Sequence, residues 1–290
     1  MASGMTTTTA LADSLPLQIN SARTTREYTG VHNMTTDKTT LPEGQGTFWQ
    51  ENLLAQLSAE NVDETAEYDN PQQIEDSSIK ITPVTAVCQT RWTKRAEGRV
   101  AKIVVAKAGA LAQEAMERLK DETYIAVLAS ASSATPGAGN VLSYTDIASD
   151  VANITGNTTE PGMGQVHCLI HPFQIYDLQS ELTVGVGTYP IDAGLTEQAY
   201  RNGFTGTVAK AHIWADGNIA INSSDDAEGG IHVKEGVIFV QGFSPWSDID
   251  DKPQGFVGRA TDTFLFDEYA FAIRLAQWVR SKLSDATAPA

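Results

Sequence analysis

The stretch from Arg99 to Ala129 constrains this chain more than any other. RVAKIVVAKAGALAQEAMERLKDETYIAVLA runs without a proline, and Gly109 is its only helix-weakening residue. Val100, Val104, Ala108, Leu111, Ala115 and Leu119 step by three and four, which sets the apolar side chains on one face and Lys, Arg, Glu and Gln on the other. At about 1.5 Å per residue such a helix is roughly 45 Å long, several times the mean of about 11–12 residues. A helix of that length is expected to be a structural spine. Leu111 is expected on its buried face, where an aspartate would unfold the subunit.

The spine sits in a chain of 290 residues, 41% of them hydrophobic, enough for one large domain or two ordinary ones. No window approaches the apolar length of a membrane span, and MASGMTTTTA has no Lys or Arg and no apolar run, so the expectation is a protein made in a cytoplasm. Cys88 and Cys168 lack C-x-x-C spacing, which favours free thiols over a disulfide. Twenty basic against thirty-six acidic residues give 20 − 36 = −16, a surface that repels phosphate and excludes a generic nucleic-acid binder.

That charge is segregated. Glu60, Asp63, Glu64, Glu67, Asp69, Glu75 and Asp76 fall in one block without a base, and Arg91, Lys94, Arg95, Arg99, Lys102 and Lys107 in another with only Glu97. Two readings stand: a solvated surface, or an acidic arm of one copy meeting the basic arm of a neighbour, since complementary fields fix register between subunits. On the second reading Lys102→Glu weakens assembly and leaves folding intact.

Residues 1–40 are rich in Thr, Ser and Ala and read as an arm that orders only against something else. After the turn at Pro42-Glu43-Gly44, the spacing of Phe48, Trp49, Leu53, Leu54 and Leu57 predicts a helix of about 12 residues. Residues 58–97 read as a charged hairpin of β-branched strands, interrupted at Pro83, whose acidic and basic limbs run past each other. A two-stranded hairpin is marginal alone, so it should lean on a partner. Past the spine, Ser130 to Asn140 reads as a linker. Beyond it come a helix over Tyr144 to Ile154, a buried strand over Val166 to Ile170, a helix over Pro172 to Leu182, short strands through Asn222 and a strong strand in VKEGVIFVQGF. The tail from Phe256 to Ser281 supports either period and is read as one long strand packing beside the spine.

Chemistry is sparse. His167 and His171 share a face whether the segment is strand or helix, but no third or fourth ligand lies nearby. Val184-Gly185-Val186-Gly187 and Gly137-Ala138-Gly139 lack the rest of a dinucleotide loop. Ser77-Ser78-Ile79-Lys80 matches S-x-x-K without its partner motifs, and Asp248, Asp250 and Asp251 form half a calcium loop. No catalytic residue, cofactor or metal is expected.

A loose arm, a charged hairpin, a long spine, an inserted mixed domain and a returning strand together resemble the major capsid proteins of tailed bacteriophages, the Hong Kong 97-type fold. Locally, GQGTFWQENLLAQLSAEN followed by PQQIEDSSIKITPVTAV looks like the start of that family's extended loop, and GRATDTFLFDEYAFAIRLAQWVRS like its closing segment. The resemblance implies an α+β chain divided into an N-terminal arm with a short helix (1–57), an extended loop (58–97), a peripheral domain with the spine helix (98–129 and 246–290) and an inserted axial domain with a mixed sheet (130–245). It implies a homo-oligomeric coat of hexamers and pentamers in a virion, assembled in the host cytoplasm. Such a coat encloses double-stranded DNA without sequence-specific binding and has scaffold, portal and decoration proteins as possible partners and no membrane. The candidate inter-subunit residues are then Glu60, Asp63, Glu64, Glu67, Asp69, Arg91, Lys94, Arg95, Arg99 and Lys102. Nothing marks a maturation cleavage or a crosslink through Lys80. A nanocompartment shell of the same fold and a soluble α/β enzyme are the rival readings.

Overall fold

The computed structural model describes residues 5–6, 28, 30–44, 46–65, 67–99, 102–185, 206–251 and 260–289. In chain order the elements are β1 (Met5–Thr6), α1 (His32–Thr35), β2 (Asp37–Thr40), β3 (Trp49–Leu54), β4 (Asp76–Ile81), β5 (Val84–Thr93), α2 (Lys94–Arg99) and α3 (Lys102–Ala129). They continue with α4 (Tyr144–Thr155), β6 (Val166–Ile170), α5 (Pro172–Gly185), β7 (Thr207–Val208), β8 (Ala211–Ala215), β9 (Asp226–Val233), β10 (Val237–Gln241), β11 (Trp246–Asp250), β12 (Ala260–Ile273) and β13 (Val279–Asp285). One sheet has the order β1-β5-β12-β10-β2, with β11 also on β12; a second runs β13-β9-β6-β8-β7; β3 and β4 form a ribbon of their own.

The spine α3 joins the two sheets. Its Tyr124, Ile125 and Leu128 pack in one apolar cluster with Phe239, Tyr269 and Phe271 of the first sheet and Leu169, Ala227 and Val279 of the second. The buried stripe is not the expected one: Leu111 and Leu119 are 43% and 41% exposed, while Met116, Lys120, Tyr124 and Leu128, four apart, face inward. A neighbouring ridge of the helix faces the core because its two charged positions have partners there. Lys120 Nζ lies 2.6 Å from the buried Asp267 of β12, and Asp121 accepts from the backbone N–H of Val31 at 3.1 Å. The aspartate at Leu111 would therefore meet solvent, and the expectation that it unfolds the subunit is corrected.

The second sheet is covered on its other face. Ile147, Val151 and Ile154 of α4 and Ile175 and Leu178 of α5 pack on Val166, Cys168 and Ile170 of β6, which is buried on both faces as expected of a mostly apolar strand. Ser143 and Asp146 cap α4 reciprocally, side chain to backbone. Cys168 is a buried free thiol and Cys88 a half-buried one. Asp150 of α4 is buried against Lys282 and Arg280 of β13 and accepts from Thr135 Oγ1 at 2.7 Å, which pins the 130–140 connection to the sheet.

Three further expectations change, and one strand, β9, is unforeseen. Residues 49–54 form β3, not a helix, because they pair antiparallel with β4 from Trp49↔Ile81 to Leu54↔Asp76. The hairpin is therefore made by β3 and β4 around residues 55–75, and the basic limb is not its second strand: β5 leaves at Pro83 and pairs along its whole length with β12. β9, whose DAEGGIHV carries no apolar alternation, is a central strand between β6 and β13. The long tail strand ends at Ile273, after which β13 crosses to the second sheet, while β10 from the expected inserted segment lies in the first.

Candidate assembly surfaces

The ribbon is anchored at one end only. Arg274, just after β12, donates to Glu51 of β3 at 2.8 Å, to Asp37 of β2 at 2.9 Å and to the Glu235 carbonyl at 2.8 Å. Ile79 and Ile81 of β4 and Trp49 of β3 pack with Ile238, Val240, Ala270 and Ala272 of the first sheet. Beyond that root every described residue from 52 to 78 is exposed, although the loop is ordered internally by Ala55 N–H to Glu75 O at 2.8 Å and by a two-way pairing of Ser58 with Gln72. Apolar side chains ride on this exposed ribbon, Leu54 at 65% and Ile74 at 63% being the most open. Two strands and a loop that bury nothing past their root are not stable structure on their own account.

A second exposed apolar feature lies on the first sheet. Register places Trp246 of β11, Phe266 of β12 and Val87 of β5 in one row across three strands, with Trp246 stacked on Phe266 at 5.1 Å and Phe264 stacked beside it. Trp246 is 41% and Val87 54% exposed. This row shares the sheet face that Ala270 and Ala272 present to the ribbon root, two-residue steps along β12.

The candidate residues separate into two groups. Glu60, Asp63, Glu64, Glu67 and Asp69 are all exposed on the loop between β3 and β4, and Arg95 and Arg99 are exposed on α2. Arg91 is engaged inside the subunit: its Nε and Nη2 donate to the buried Asp262 at 2.6 Å each, and that hydrogen bond holds the Asp262 carboxyl below its usual range. Lys94 lies 3.7 Å from Asp251. The side chain of Lys102 lies outside the described residues.

No protein-family model and no curated protein sequence matches the chain. Solved structures do. The chain is similar to the capsid of the cyanophage P-SCSP1u, at 13% identity and a TM-score of 0.71, over 96% of this chain and 94% of that one. It is similar to the capsid of Ralstonia phage GP4, at 12% identity and 0.71, over 95% and 96%, and to the capsid subunit of cyanophage Pam1, at 10% identity and 0.69, over the full length of both. The chain has a phage-capsid fold. At these identities the similarity resides in the backbone, so the side-chain chemistry of this capsid fold is read from its own residues.

The histidines marked as a metal candidate do not converge. His167 lies in β6 and His171 just past its end, about 13 Å along an extended chain, and among the described residues no group of three or more His, Cys, Asp or Glu is arranged to hold a metal. His167 instead accepts from Trp214 Nε1 at 3.0 Å through Nδ1 and lies between His212 and His232 of the neighbouring strands, its ring tilted against each with centroids 6.1 Å apart. His232 Nδ1 donates to the Val233 carbonyl at 2.8 Å, so its Nε2 accepts from Tyr124 Oη at 2.6 Å, and Tyr124 in turn accepts from Thr35 Oγ1 at 2.9 Å. Sequence reading missed this chain of donors and the Trp246–Phe266–Val87 row alike. Each is assembled from elements far apart in sequence, and no local spacing signals them.

Proposed function

We propose that this chain is a structural coat subunit that assembles with copies of itself, as pentamers and hexamers, into a closed shell enclosing double-stranded DNA in a virion. The observation that carries the reading is the exposed ribbon: the described residues from 52 to 78 project carboxylates and apolar side chains together, and no other described residue of the subunit covers them. In a shell each ribbon crosses a neighbour, its apolar side chains covering the Trp246–Phe266–Val87 row and its carboxylates Glu60, Asp63, Glu64, Glu67 and Asp69 facing Arg95 and Arg99. Repeated heterologous contacts of this kind bury area that one copy leaves open. The phage-capsid fold over nearly the whole chain supports the same reading, as does a net charge of −16, which disfavours adhesion to packaged DNA. The subunit acts mechanically and not as an enzyme. Its working parts are the arm, the ribbon, the spine with the first sheet, and the second sheet. Assembly takes place in the host cytoplasm, with scaffold, portal and decoration proteins as further partners.

Negative-stain microscopy of the expressed protein is expected to show closed shells. Glu64→Lys combined with Glu67→Lys is expected to abolish or disorder them while leaving the urea unfolding midpoint of the subunit unchanged. A monodisperse monomer at high concentration, with no particles under any condition of salt or crowding, would overturn the proposal, as would equal loss of shells and of folding in the double variant.

A further inference from the structure

The backbone at Val31, within segment 28–36, is held by the buried carboxyl of Asp121, and a second buried carboxyl, that of Asp216, lies behind it. Asp121 of α3 accepts from the backbone N–H of Val31 at 3.1 Å and from Asn218 Nδ2 at 3.0 Å, and lies 3.4 Å from His32 Nδ1. Asp216, in the turn after β8, accepts from the backbone N–H of Asn218 at 2.8 Å through Oδ1. Its Oδ2 is fully buried and meets no donor among the described residues, and Asn218 brings the two carboxyl groups together by donating its N–H to Asp216 and its Nδ2 to Asp121. Both aspartates are at most 1% exposed. Among the described residues, the hydrogen bonds of the pair involve no lysine or arginine, in contrast to Asp267 with Lys120 and Asp150 with Lys282. The segment seats tightly here: a Cβ on Gly30 would stand 2.9 Å from Asp121 Oδ1, and one on Gly217 would run into the Tyr28 ring.

Two carboxylates facing each other in a dry site cannot both be charged. We propose that one proton, held on Asp216 and shared with Asp121, latches segment 28–36 to the spine and to the second sheet, and that undocking of this segment expels it. In the docked state the Asp216 hydroxyl donates to Asp121; on undocking the O–H bond ionises, the proton goes to solvent and both carboxylates hydrate. Burial, together with the Asp121 hydrogen bond, pushes Asp216 up to about 8. Burial opposes the Asp121 charge, and the bonds from His32, Asp216 and Asn218 overcome it and hold that carboxyl low. The other titratable groups around the pair are Tyr28 and His32 on the segment, Glu117 and Tyr124 on α3, and, behind Tyr124, Cys168 on β6 and His232 on β9. Glu117 is 3.6 Å from His32 Nε2. Burial raises Tyr124 above its usual range, pushes Cys168 up to about 12 and lowers His232 to about 4, so none of these three titrates between pH 5 and 8.

The sign follows. Asp216 is raised in the docked state, so its contribution to docking is greatest near pH 4, where a free aspartate titrates, and is lost as the pH rises to about 8. In that window the opening equilibrium grows about tenfold per pH unit. Hydrogen exchange of the full-length protein between pH 5 and 7.5 tests this at the Met34, Thr35 and Thr36 amides, which donate to Val31 and His32 carbonyls. Base-catalysed exchange alone accelerates about tenfold per unit. The latch predicts about a hundredfold per pH unit in the wild type and about tenfold per unit in Asp216→Asn, whose amide stands in for the protonated acid. His32 is present in both chains, so a proton belonging to it would appear equally in both. Tenfold per unit in the wild type, or a hundredfold per unit in Asp216→Asn, overturns the proposal. If the variant fails to fold, infrared titration of the wild type decides: a protonated carboxylic acid C=O stretch that persists at pH 7 and fades above about 8 supports the latch, and its absence at pH 7 overturns it.

Discussion

Gly229 and Gly230 lie where β9 runs between β6 and β13 under the spine. A Cβ at Gly229 would stand 2.0 Å from the Leu169 carbonyl oxygen, and one at Gly230 would stand 2.8 Å from Leu128 Cβ. Neither neighbour is the free end of a flexible side chain, so backbone must move to admit a methyl group. Gly229→Ala is expected to destabilise the subunit by about 3 kcal/mol, read as a fall in urea midpoint at unchanged slope. The imidazoles of His167 and His232 make a second residue-scale prediction. Burial lowers both to about 4, against about 6.5 in an unfolded chain. The folded state refuses protons that the unfolded chain takes up, so stability is intact above pH 6.5 and falls as the pH drops towards 4. The loss is on the order of 2–3 kcal/mol per imidazole. Urea midpoints at pH 7 and 4.5 measure it, and His167→Gln, which keeps an acceptor for Trp214, is expected to remove about half of the difference.

At the scale of elements, the spine shows how a correct helix can carry an incorrect face. Its period was legible because α-helical spacing is local. Its buried ridge was not, because Lys120 and Asp121 look solvated until Asp267 and the segment 28–36 are placed against them. Leu111→Asp is accordingly expected to change stability by less than about 1 kcal/mol, whereas Leu128→Ala, fully buried between the sheets, is expected to cost about 2–5 kcal/mol. Thermal unfolding of the two variants side by side checks the order. β3 makes the converse case. Leu53, Leu54 and Leu57 fit a helix by spacing, and pairing with β4 across a long loop outweighs that local preference. Helix α4 and strand β6 were legible because each satisfies its pattern within its own length: a three-to-four step of Ile147, Val151 and Ile154 in one, a mostly apolar run in the other.

At the scale of the molecule, the two charge blocks have different destinations. The acidic block rides on the exposed ribbon, free to meet another copy, while the basic block begins inside the first sheet, where Arg91 neutralises Asp262. On the proposed reading, Arg95 and Arg99, exposed on α2, meet a neighbour's carboxylates, so assembly is expected to respond to charge reversal on the ribbon and at α2, and Arg91→Glu to damage folding first. The order of parts, the acidic balance, the long helix and the buried strands followed from composition and short-range periodicity, which are properties a chain carries before it folds. Which face of the spine is buried, which strand partners the ribbon, which aromatic side chains form a row and which two aspartates share a dry site depended on contacts between residues tens to hundreds of positions apart. Burial and neutralisation are pairwise quantities, and their partners exist only once the chain has closed on itself.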